Sequence, residues 1–409
     1  LTSSDATDHA FEMIPPELAE DRVEQIERHP HPDAFWTAAR EWLGFLLVEH
    51  GAIAERRAVA HTLFRERHRL HVPESGDFTL AEMRARALRE AERSDPWMGA
   101  FASHAAELGA RRFALWEKCE ELAGQRRGSR LPADIANRLG ALASEVLDDT
   151  SDAYAELGVR SWSAMLSKAL GADAPGEWPA RLSTRTLADL LGAKEWFDGL
   201  SPEAFEVPRV LGASTVMRGL WALGRALHDA SSNPRLPFVL AREPQAQRSR
   251  ATGALFALLP ARAAFAERRL GVGRARLRDY RQRMALVTLV AVRHSALRAL
   301  LAPELHRGGR ARLDGFLELG ERALGFEPAA ALHGAIFASE HGLADFAGLL
   351  AAFRREHELT EKHDEDWFRN PRAAREIRAD LEIPPPRTLE GATFEGGLAV
   401  LQHTLSRDL

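Results

Sequence analysis

Apolar residues recur at three- and four-residue steps along most of this chain. Phe35, Trp36, Ala39, Trp42, Leu43, Leu46 and Leu47 set the pattern, which predicts a long amphipathic helix running toward His68. The same period predicts helices over about 95–125, 132–149, 151–170, 183–193, 212–231, 273–304, 310–324, 328–338, 341–363, 371–381 and 393–407. Asp95-Pro96 opens one of these with an acidic cap and a proline at the first helical position, and Gly128 closes it. β-Branched residues are sparse and rarely alternate with polar ones. The one strand candidate, Pro237 to Ala241, is too short and isolated to define a sheet. The pattern therefore predicts an all-α fold with minimal β structure.

Composition agrees, since Ala, Leu, Arg and Glu are all good helix formers. At 409 residues, with 45% hydrophobic and 28% charged residues, the chain is long enough for one or two well-buried domains. Two stretches rich in Gly and Pro read as joints, Gly171 to Pro179 and Ile383 to Arg387. The first predicts an N-terminal helical lobe over 1–175 and a C-terminal lobe over 176–409.

The formal charge of −5 and the interleaving of arginine with acid, as in Arg65-Glu66-Arg67, argue against nucleic-acid binding. A single cysteine, Cys119, excludes an intramolecular disulfide and a cysteine-based zinc site, and fits a cytoplasmic location. The longest apolar stretch, Met284 to Val292, falls far short of the ~20 residues that span a bilayer, so no membrane association is expected. Leu1 to Asp8 lack the regions of a signal peptide.

Common catalytic motifs are missing. Gly271-Val272-Gly273 follows no strand and forms no dinucleotide loop. His357 and His363 are six residues apart, a rotation of about 240° on a helix, so they cannot share a metal. His333 and His341 share a face beside Glu340, a pattern that fits a solvated surface better than a ligand set. Asp148-Asp149 and Asp364-Glu365-Asp366 read as helix-end charges.

The informative segment is Gly212 to Leu270. It contains Trp221-Ala222-Leu223-Gly224-Arg225-Ala226-Leu227-His228, then Leu236-Pro237-Phe238, then Arg250-Ala251-Thr252-Gly253-Ala254-Leu255-Phe256. In order and spacing it resembles the catalytic region of the helical zinc metallopeptidases of the thimet oligopeptidase and oligoendopeptidase class. There one helix reads H-E-x-G-H-A-x-H and a glutamate from a second helix completes the zinc site. Glu304 to Gly308 is similar to the end of a long family helix. Asp364 to Ala373 resembles the family's acidic, Trp-rich turn, and Arg138 to Met165, with Ala155-Glu156-Leu157-Gly158, is a weaker match. The resemblance spans roughly residues 95–382 and implies a two-lobed helical fold around a cleft.

By that alignment Trp221 stands at the first zinc histidine, Ala222 at the general base, Arg225 at the second histidine and Arg250 at the glutamate ligand. Guanidinium stays protonated and indole offers only a donor, so no zinc is expected and no cofactor of any kind. The tyrosines that the family uses on its intermediate are also missing from the comparable stretch, Asp345 to Phe353. The resemblance thus implies a pseudoenzyme acting by peptide or protein binding, with Trp221, Arg225, His228 and Arg250 lining a remnant cleft.

Two readings of the arginines follow. They reach solvent or pair with acids such as Asp229, filling a vacated polar cavity. Alternatively, guanidiniums a few Å apart repel by about 4 kcal/mol at an effective dielectric of 20, and clamp an anion or a peptide carboxylate between them. Two other functions stand against the pseudopeptidase. One is a hydrolase rebuilt from His228, Asp229, His294, His306, Glu340 and His341; the other is an all-α interaction module of unrelated origin.

Overall fold

The protein is described by a computed structural model, which covers residues 34–64, 70–79, 82–83, 86, 95–124, 131–165, 168, 178–179, 181–192, 194–198, 200, 206–207, 210, 212–308, 313–328, 341–385 and 391–408. The fold is all-α. Helices α1 (Ala34–Gly51) and α2 (Ile53–Phe64) lead into a short hairpin, β1 (Leu70–Val72) and β2 (Gly76–Phe78), followed by the long α3 (Asp95–Ala123). Next come α4 (Ala133–Asp149), α5 (Ser151–Glu156), α6 (Trp162–Met165), β3 (Leu182–Ser183), α7 (Thr184–Leu191) and β4 (Glu206–Val207). The remainder is α8 (Ala213–Ser231), α9 (Phe238–Ala241), α10 (Gln247–Ala257), α11 (Ala263–Arg269), α12 (Arg274–Gly308), α13 (Leu313–Leu324), α14 (Gly342–His363), α15 (Pro371–Glu382) and α16 (Gly391–Asp408). Among the described residues, strands occur as two antiparallel pairs, β1 with β2 and β3 with β4.

Local signals place several boundaries. Ser183 and Thr186 cap α7 reciprocally, each side chain accepting the other's backbone N–H, and Gly192 ends the helix with φ +78°. Asn370 caps α15 by accepting the Arg372 N–H at 2.9 Å, with Pro371 at the first helical position. The helix expected over 151–170 is instead interrupted after α5, because Gly158 takes φ +62° and turns the chain. Lys168 donates to the freed carbonyls of Leu157 and Gly158 at 2.7 and 3.3 Å. The helix expected from 35 toward 68 is divided at Ala52 into α1 and α2 but keeps its ladder, Ala52 N–H donating to Val48 O and Arg56 N–H to Ala52 O, both at 3.0 Å. Residues 65–69, 329–340, the joint at 171–177 and the stretch 386–390 lie outside the described residues.

Pro237 to Ala241 is not a strand. Leu240 and Ala241 both donate to the Pro237 carbonyl, at 2.9 and 3.0 Å, closing one helical turn. With no neighbouring strand to satisfy its peptide groups, the segment satisfies them locally.

One contiguous core runs from Leu139 to Leu405, so α4 packs into the same interior as α8, α10, α12, α14 and α16. It therefore crosses residue 175. Arg293 of α12 is 2% exposed and organises this interior. Its guanidinium donates to Leu147 O and Thr150 Oγ1 at the end of α4, and to Arg322 O and Ala323 O at the end of α13. It lies 4.5 Å over the Tyr154 ring. One cation thus supplies donors to the last carbonyls of two helices, sharing the Leu147 carbonyl with the Ser151 hydroxyl at 2.6 Å. Burial lowers its pKa to about 10, and it remains charged at neutral pH.

Helix α12 contains the one segment among the described residues, Arg274–Ala302, long and apolar enough to cross a membrane. Its most apolar window is 72% buried inside the fold, as expected of a central core helix.

Helices α1 to α3 form a smaller cluster around Val48, Ala52, Leu115 and Cys119. It meets the larger body at α9, where the Trp42 ring packs at a tilt against Phe238 with centroids 4.6 Å apart and donates from Nε1 to Arg242 O at 3.1 Å.

Candidate functional site

Helices α8 and α10 cross so closely that only glycine fits at the contact. A Cβ on Gly224 would lie 2.4 Å from Thr252 O, and one on Gly253 would lie 2.9 Å from the Trp221 ring. The crossing brings the three aligned positions together, Trp221 and Arg225 from α8 and Arg250 from α10. Arg225 lies over the Trp221 ring at 4.9 Å, a cation–π geometry, and donates from Nε to the buried Ser249 Oγ at 3.2 Å. Its pKa is lowered chiefly by burial and then by the charge of Arg250, with Asp229 and Asp345 opposing. Among the described residues it forms no direct ion pair.

Arg250 is neutralised by Asp345 of α14, in an ion pair whose side chains are 11% and 25% exposed. Asp345 reaches it because α14 lies flush on α10 at Gly348, where a Cβ would stand 2.9 Å from that of Arg250. The expected acid, Asp229, is engaged elsewhere: it pairs with Arg242, which also donates to its backbone carbonyl at 2.9 Å. Burial acts to raise the Asp229 pKa, but the hydrogen bond from His228 and the charge of Arg242 outweigh it and hold the carboxyl below its ordinary value.

His228 is 6% exposed and turns toward this second cluster, with Nδ1 3.2 Å from Asp229 and 3.3 Å from Arg242. It therefore does not share the Trp221–Arg225–Arg250 contact and instead ties the end of α8 to the loop after α9. Asp345, Ser249 and Arg242 are residues that the motif comparison does not single out. They come from segments whose relation to α8 is set by tertiary packing.

Trp221 and Arg250 also wall a cavity of about 480 Å³, within the roughly 300–1,000 Å³ range of small-molecule sites. Its lining is mostly apolar, with Met217, Leu258, Val287, Val290 and Leu349 around the indole. Arg218, Arg298, Asp345 and His294 supply charge or polarity. Burial, reinforced by the neighbouring Arg298 and Arg293, pushes the His294 pKa down to about 4, so its imidazole is neutral at pH 7.

Among the described residues, the remaining candidates do not gather. His341 stands at the start of α14, while Glu340 and the side chain of His306 lie outside the described residues. His357 faces Glu361 at 3.4 Å, and His363 faces Glu376 at 2.8 Å. Asp148 pairs with Arg322, and Asp366 with Arg268. Among the described residues, no group of three or more histidine, cysteine or acidic side chains could hold a metal. At the aligned positions the walls are an indole, two guanidiniums and a methyl, a donor set that does not fit zinc.

No family model, curated protein or solved structure matches the chain.

Proposed function

We propose that this chain is a catalytically inactive descendant of a helical zinc metallopeptidase, a cytoplasmic pseudoenzyme acting by binding a peptide or protein partner. The proposed ligand site is the remnant of a cleft between two helical lobes. The observation that carries the reading is the meeting of Trp221, Arg225 and Arg250 at one helix crossing, in the order and spacing of a zinc site yet with side chains that exclude one. Arg225 also supports it. A largely buried guanidinium with a neutral hydrogen-bond acceptor and a cationic neighbour favours an anionic group nearby.

Metal analysis of the purified protein, paired with a chelator-sensitive peptidase assay, tests the reading. The expected result is no stoichiometric zinc and no cleavage, with retention of peptide on the immobilised protein. One equivalent of zinc with chelator-sensitive cleavage would overturn it.

A further inference from the structure

The cavity walled by Trp221 holds about 480 Å³, and small side chains on α10, Ala254 and Ala257, leave space that larger ones would fill. Met217, Leu258 and Leu349 supply apolar surface around the indole. Trp221 is a fixed wall. Arg225 lies 4.9 Å over its ring, and the backbone at Gly253 comes so close that a Cβ there would stand 2.9 Å from the indole. A side chain already held in place loses little freedom when a ligand arrives.

The charged groups of the lining offer an entering ion little. Arg250 and Asp345 neutralise each other. Arg298 has an interaction of its own, and Arg218 is exposed, where solvent and salt screen its charge. The His294 imidazole, its pKa pushed down to about 4 by burial, is neutral at pH 7. An ion would exchange its hydration for apolar contacts, a cost that these groups do not offset.

A peptide backbone fares no better. Every lining residue belongs to α8, α10, α12 or α14, or directly follows α10, so the cavity is bounded by the sides of helices. Peptide groups there are largely engaged within their own helices, and no strand contributes an edge to pair with an extended chain.

We infer that this cavity binds a free, neutral aromatic molecule of one or two rings, packed against Trp221, Met217 and Leu258. The aromatic class follows from the indole and the thioether, which both add ring-specific attraction to the burial of apolar surface. The inference uses the volume and the walls alone, and it stands whether or not the chain descends from a peptidase.

Titration calorimetry on the full chain at pH 7 tests it with three probes on one ring system, 2-naphthol, 2-naphthoate and 2-naphthylmethylammonium. 2-Naphthol is expected to bind at one equivalent, at least about tenfold tighter than either ion, with a negative heat-capacity change and little dependence on salt. The saturated analogue trans-2-decalol should bind at least about threefold more weakly than 2-naphthol. Ala257→Phe and Leu349→Trp fill the cavity from two walls, and each should weaken 2-naphthol at least about tenfold. The probe series on the unaltered chain decides alone if either variant fails to fold. Absence of 2-naphthol binding overturns the inference, as does an ion bound as tightly or an affinity that both folded variants leave unchanged. Equal affinity for trans-2-decalol overturns the aromatic class, and equal affinity for N-acetyl-Gly-Trp-Gly amide overturns the free molecule in favour of a peptide side chain.

Discussion

Arg250 of α10 and Asp345 of α14 form an ion pair that joins two helices ninety-five residues apart in sequence. The pair keeps Arg250 from standing unneutralised beside Arg225. Asp345→Leu should lower stability by about 2–3 kcal/mol, because it leaves two guanidiniums together in a partly desolvated site. Arg250→Leu combined with Asp345→Leu should recover more than half of that loss. Urea unfolding of both single variants and the double variant measures the coupling, and additivity would show that the pair has no energetic role.

The crossing of α8 and α10 sets a steric limit. Gly224→Ala places a methyl against the Thr252 carbonyl and should cost about 2–3 kcal/mol by forcing the helices apart. Gly140→Ala on α4 is the control. No heavy atom lies within 4 Å of its new Cβ, so the better helix propensity should stabilise the protein by up to about 1 kcal/mol. Thermal unfolding of the two variants should move in opposite directions.

Arg293→Leu removes the donor shared by the ends of α4 and α13. Leu147, Arg322 and Ala323 then keep buried carbonyls without that donor, for a loss of about 3–5 kcal/mol. Arg293→Lys retains the charge but not the planar fork, and should recover only part of the difference in a denaturant midpoint.

His294 gives a pH signature. Its folded pKa, about 4, lies below the ordinary value of 6.5, so as pH falls the unfolded chain takes up this proton first. Its contribution to stability is fully present above pH 6.5 and declines as pH falls through the interval to about 4. Histidine NMR should show one imidazole titrating near 4, and His294→Asn should flatten the stability profile across that interval.

Helix positions were largely legible in sequence because they follow from short-range periodicity. Helices expected over 212–231, 341–363 and 371–381 are found at Ala213–Ser231, Gly342–His363 and Pro371–Glu382. Where the reading failed, a local conformation overrode the period: the positive φ of Gly158 cut one helix, and Pro237 opened a helical turn where β-forming residues suggested a strand. The meeting of Trp221, Arg225 and Arg250 follows from spacing on two neighbouring helices. The partner of Arg250 was not legible, since nothing local to Asp345 distinguishes it from any acid in a first helical turn. Only the flush contact at Gly348 brings it to α10. His228 shows the converse, being close to the motif in sequence while its packing turns it toward Asp229 and Arg242.

Trp42 holds the carbonyl of Arg242, and Arg242 in turn holds Asp229 in the last turns of α8. A displacement of α1 would thereby reach, through three linked residues, the helix that bears Trp221 and Arg225. The amino-terminal helices are thereby tied to that helix, with Trp42 as a point of attachment.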